Sequence, residues 1–138
     1  MKAKTAKISQ AAFLGLLSEL GDAMDEKDYT LVDEMLTTYP ALIRHRDGHC
    51  EEPLIMAIRR WDPRLVSICM KHGSSPQDTH QCSKDSKPKN AYLIASNILT
   101  RKIKSLSTDS KQYELEFARY REILREMVCS QPFKASGS

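Results

Sequence analysis

The chain has 138 residues, and its 21 lysines and arginines against 18 aspartates and glutamates leave a net charge of +3. That length suits one domain with a real core, and 41% hydrophobic with 28% charged residues is the balance of an ordinary water-exposed fold. No apolar run approaches the roughly 18 residues of a membrane span, and the start MKAKTAKISQ lacks the apolar stretch of a secretory signal. The sequence therefore predicts an intracellular protein, cytoplasmic and/or nuclear, whose four cysteines are reduced.

In chain order, residues 1–8 read as a disordered basic N-terminus, 9–129 as a helical domain and 130–138 as a disordered tail. Ser9 can cap a first helix, in which Ala12, Phe13, Leu16, Leu17 and Leu20 recur at helical spacing. Gly21 ends that helix, or the helix continues to about Asp25. Asp28 caps a second helix with Leu31, Val32, Met35 and Leu36 on its apolar face, and Tyr39-Pro40 stops it.

Residues 41–52 read as a connector with turn chemistry in Asp47-Gly48. Glu52-Pro53 then opens a third helix carrying Leu54, Met56, Ala57 and Ile58. Asp62-Pro63 repeats the start signal for a fourth helix, whose stripe is Leu65, Val66, Cys69 and Met70 and whose end is His72-Gly73. A polar loop from Ser74 to Lys89 separates it from a fifth helix over 90–99. A second polar linker over 101–110 precedes a last helix capped by Asp109 or Ser110 and striped by Tyr113, Phe117, Tyr120, Leu124 and Met127. Met24, Met35, Met56, Met70 and Met127 read as core filler. No segment alternates long enough to predict a sheet.

The six helices fall into three pairs, and the pairs echo one another. Ala57, Leu65 and Val66 follow Ala23, Leu31 and Val32 at a constant offset of 34 residues. Such a period marks stacked helix pairs. The middle unit, Glu52-Pro53-Leu54-Ile55-Met56-Ala57 followed by Leu65-Val66 and His72-Gly73, resembles an ankyrin repeat. Its departures are Glu52 for threonine, Ile55 for histidine, and Trp61 where the family places a glycine between the helices. The first unit resembles the pattern more weakly, and the third keeps only the spacing of its small and apolar residues. The resemblance implies an all-α, short solenoid of about three helix-pair repeats that works as a non-enzymatic protein–protein interaction module or adaptor. The partner would meet its inter-repeat connectors and exposed first-helix faces.

Within that frame Arg44, His45, Arg46, His49, Arg59, Arg60 and Trp61 are the expected partner-binding residues. Arginine and tryptophan concentrate in binding hot spots, and a basic strip suits an acidic segment of a partner protein. Trp61 has a competing and favoured reading, an indole folded over the helix pair as packing. The charge is also lopsided. Glu19 to Glu34 holds seven acidic residues and one lysine, whereas Lys84 to Lys104 holds six basic residues and one aspartate.

The basic 84–104 region supplies an alternative, a nucleic-acid-associated regulatory factor, although no aromatics interleave with its lysines as stacking on single strands requires. A further alternative is a self-associating assembly subunit using the last helix. No phosphate loop, G-x-S-x-G elbow or H-E-x-x-H motif is present, so no catalytic residue is expected. His45, His49, Cys50, His80 and Cys82 lie in successive connectors that a stack would bring to one side, the arrangement a tetrahedral zinc would need. Their H-x3-H-C and H-x-C spacings are not paired zinc spacings, and the expectation is no metal and no cofactor.

Overall fold

The computed structural model describes residues 9–81 and 87–129. The expected disordered ends, 1–8 and 130–138, and the loop residues Cys82 and Lys84 lie outside the described residues. The described residues contain six α-helices: α1 (Gln10–Asp25), α2 (Tyr29–Thr38), α3 (Pro53–Arg59), α4 (Pro63–Lys71), α5 (Ala91–Ile103) and α6 (Lys111–Cys129). A short 3-10 helix, Pro40–Arg44, occupies the start of the connector after α2. Among the described residues there is no strand. His80 and Lys89 form one isolated antiparallel bridge, through N–H···O bonds of 2.8 and 3.0 Å.

The helices pair as hairpins, α1 with α2, α3 with α4, and α5 with α6. Across hairpins, α3 packs on α1 and on α5, while α4 packs on α2 and on α6. The central hairpin is thus flanked on both sides. Every residue from Pro53 to Ile58 is buried, so α3 has almost no solvent face of its own. The core runs continuously from Leu17, Leu20 and Met24 of α1, through Leu54, Ile55 and Ile58 of α3, to Ala95, Ile98, Ile123 and Met127. The methionines at 24, 35, 56, 70 and 127 are all inside it.

Local sequence explains the ends of the helices. The side chains of Ser9, Asp28, Asp62 and Asn90 each accept a hydrogen bond from a backbone N–H in the first turn of α1, α2, α4 and α5. The turns of the first two hairpins are copies of each other. Lys27 (φ 58°) and Trp61 (φ 57°), 34 residues apart, both take the left-handed conformation directly before their aspartate caps. A glycine would enter that conformation without strain, so each of these side chains is retained against a backbone preference. Gly73, at φ 96°, closes α4 in the conformation expected of it.

Of the two ends expected for α1, the later one holds: the helix passes through Gly21 to Asp25. A Cβ at Gly21 would lie 3.3 Å from the Arg60 guanidinium and 3.4 Å from Met56, so the glycine serves close helix packing. Two details differ from the expectations. Leu31 is 41% exposed, since α2 turns Val32, Met35 and Leu36 inward. In addition, α5 continues to Ile103, which moves Arg101 and Lys102 from a linker onto a helix.

Candidate functional site

The connectors after α2 and after α4 lie against each other. Arg44 forms an ion pair with Asp78, 34 residues on, and Arg46 Nη2 donates to the Thr79 carbonyl at 3.0 Å, 33 residues on. The first connector is braced internally. Asp47 Oδ1 accepts the N–H groups of His49 (2.8 Å) and Glu51 (3.1 Å), and Cys50 sits at φ 65° in the resulting turn. Glu51 in turn receives Arg59, whose Nε donates to both carboxylate oxygens at 2.9 and 2.8 Å. Arg44, Arg46, His49 and Arg59 are exposed along this side.

The other expected contact residues are held inward. The His45 ring stacks on Phe13 with centroids 3.7 Å apart, and its Nδ1 is 2.9 Å from the Ala41 carbonyl. Arg60 staples α3 to α1: Nε donates to Asp25 at 2.8 Å, Nη1 to the Met56 carbonyl at 2.8 Å and Nη2 to the Gly21 carbonyl at 3.3 Å. Trp61 is only 6% exposed. Its Nε1 donates to Glu116 at 2.8 Å, its ring lies parallel to Tyr120 at 6.3 Å, and Arg119 donates to its carbonyl at 3.2 Å. The indole packs the α3–α4 turn onto α6, which is the packing reading of this residue and not that of an exposed anchor.

The zinc candidates do not converge. His45 is committed to Phe13, Cys82 lies outside the described residues, and no group of three His, Cys, Asp or Glu in metal-holding geometry occurs among the described residues. What the connectors do enclose is a buried polar pair. Glu52 and His80 are 4% and 8% exposed, with His80 Nε2 3.8 Å from Glu52 Oε1 and Arg46 Nε 3.8 Å from Glu52 Oε2. Neither His80 ring nitrogen has a hydrogen-bond partner among the described residues.

Burial, reinforced by the nearby Arg46, holds the His80 pKa below its usual value, and burial pushes that of Glu52 up. A histidine with a depressed pKa contributes stability above the unfolded value of about 6.5, and that contribution is lost as pH falls below it. Acidification protonates Glu52 more readily, an opposing effect. His80→Leu removes two orphaned polar atoms and is expected to stabilise the fold by about 1–2 kcal/mol at neutral pH. Its margin over the parent should widen from pH 7 to pH 5 in thermal melts followed by circular dichroism. A margin that shrinks over that range would show that His80 gains a partner when charged.

Part of the basic 84–104 region comes together with Arg59, a juxtaposition the sequence does not announce. Two adjoining hollows of about 380 and 350 Å³ share Arg59 and Arg101. Lys89, Asn97 and Thr100 line one and Lys102 the other, over Ile94 and Ile98. The charged ends sit on the last turns of α5, where the sequence pattern predicts a linker. Lys102 Nζ also lies 5.6 Å from the centre of the Trp61 ring.

Among the described residues the geometry defines an all-helical fold of three contacting hairpins, with Arg44, Arg46 and Arg59 exposed along the connector side. Set against family models, curated proteins and solved structures, the chain matches none. Among the described residues no helix is long and apolar enough to cross a membrane.

Proposed function

We propose that this chain is a non-enzymatic protein-interaction module, built as a short ankyrin-like solenoid, that presents its connector side to a partner protein inside the cell. The observation that carries this reading is the lateral pairing of consecutive connectors at the repeat offset, Arg44 with Asp78 and Arg46 with Thr79. Elements so braced lose little ordering entropy when a partner docks. The duplicated Lys27 and Trp61 turns and the Asp28 and Asp62 caps support the repeat. The unpaired thiols of Cys50 and Cys69 suit a reducing compartment, cytoplasm or nucleus, and burial pushes the Cys69 thiol up to about 12, where it is inert.

The test is affinity capture from native extract with the intact chain and an Arg44→Glu, Arg59→Glu variant. Arg60 is left alone because its loss would loosen α1 from α3. Proteins retained by the intact chain and lost by the variant are the expected result, and identical profiles would discard the surface.

A second reading, self-association, is favoured by one observation. Leu115 is 61% exposed beside Tyr113 and Phe117 in an open hollow of about 840 Å³ on α6. A monomeric mass by light scattering at high concentration removes it.

A further inference from the structure

We propose that the groove between Arg59 and the end of α5 is the recognition site for an extended acidic peptide of the partner protein, alternating carboxylates with apolar side chains. This rests on the interaction-module reading and names the chemistry of what it binds.

The argument begins with which cations are already spent. Arg44 is paired with Asp78, Arg46 with Glu52 and the Thr79 carbonyl, Arg59 with Glu51, and Arg60 with Asp25. An incoming carboxylate would have to displace each of those groups, so the exchange gains little. The α5 side differs. Lys89, Arg101 and Lys102 have no ion pair among the described residues, and none of the described residues lining the two hollows is acidic. A ligand carboxylate entering beside these like charges gains attraction without displacing an existing ion pair of theirs.

Shape and lining select the ligand class. The two hollows adjoin at Arg59 and Arg101, which line both. Ile94 and Ile98 give the lining its apolar part, and Asn97 and Thr100 give it uncharged polar groups. Asn97 offers both a donor and an acceptor to a peptide backbone. The Thr100 hydroxyl is turned back onto the Ser96 carbonyl at 3.0 Å. No aromatic side chain lines the hollows to stack a base, which sets them apart from a single-strand nucleic-acid platform. Arg101 at the junction suits bidentate capture of a carboxylate, and Ile94 and Ile98 suit an aliphatic residue next to it.

The experiment is fluorescence anisotropy with a short labelled peptide alternating acidic and leucine residues. Its comparators are the same peptide with lysines for the acids and a single-stranded oligonucleotide of equal charge. Binding is measured with the parent chain, with Lys89→Glu, Arg101→Glu, and with Lys111→Glu, Arg125→Glu, which makes the same change of net charge on α6. Thermal unfolding checks that each variant folds, and Arg101→Gln replaces the double reversal if that variant does not.

Saturable binding of the acidic peptide that falls about tenfold or more in the groove variant, and under about threefold in the α6 variant, is expected. Equal losses in the two variants, tighter binding of the oligonucleotide, or no saturable binding would each overturn the proposal. Should the peptide fail while extract capture still depends on Arg44 and Arg59, the module reading stands and the groove falls. Should capture show no dependence on any of these residues, the module reading falls with it.

Discussion

Replacing Trp61 with alanine is expected to cost about 3–5 kcal/mol of unfolding free energy, the largest loss from any one substitution in this chain. The indole buries its ring against α6, stacks near Tyr120 and gives up an N–H to Glu116, all from a turn that joins α3 to α4. Truncation leaves a cavity at the junction of the second and third hairpins and strips Glu116 of a donor. The backbone adds a separate component, since alanine at φ 57° keeps the left-handed strain that the tryptophan bears. Trp61→Gly removes the same contacts but relaxes that strain, so it should be more stable than Trp61→Ala by up to about 1 kcal/mol. Urea denaturation followed by circular dichroism measures both. A loss below about 1 kcal/mol for Trp61→Ala would mean the indole does not hold α6.

Asp62→Ala should cost about 2–4 kcal/mol, well above the roughly 1 kcal/mol expected of Asp28→Ala at the corresponding cap of the first hairpin. Both aspartates accept a first-turn N–H. Only Asp62 is buried, and only Asp62 also receives the Tyr29 hydroxyl at 2.7 Å and the Lys27 ammonium at 3.3 Å from the preceding hairpin. Burial by itself would raise its pKa. The Tyr29 hydroxyl, the Arg64 N–H and Lys27 together outweigh that and hold the carboxyl below its usual range.

A carboxylate with a depressed folded pKa contributes stability above its unfolded value of about 3.9, and loses it as pH falls through the folded pKa. The gap between Asp62→Ala and the parent should therefore close below about pH 4. Equal losses at Asp28 and Asp62 would show that the cross-hairpin bonds contribute nothing.

Much of this was legible along the chain because it is decided within a few residues. Helix caps at Ser9, Asp28 and Asp62, proline at the start of α3 and α4, and glycine after α4 act through the nearest turn, and each appears where its local chemistry predicts. The fate of the basic residues was not legible, because it depends on groups brought near by packing. Arg44 and Arg60 meet Asp78 and Asp25 only once the hairpins are stacked, and Trp61 meets Glu116 across 55 residues of sequence. The Arg101-Lys102 turn reads as a polar linker, because a charged helical end facing solvent carries no apolar stripe to announce it.

The enclosure of α3 bears on how the molecule comes apart. Seven residues are too few for a helix to persist by itself, and this one is buried from Pro53 to Ile58 by the hairpins on either side. Each outer hairpin therefore packs on an element that needs its neighbours to persist. Loss of either outer hairpin is expected to loosen the central one, and thermal unfolding is expected to be a single transition.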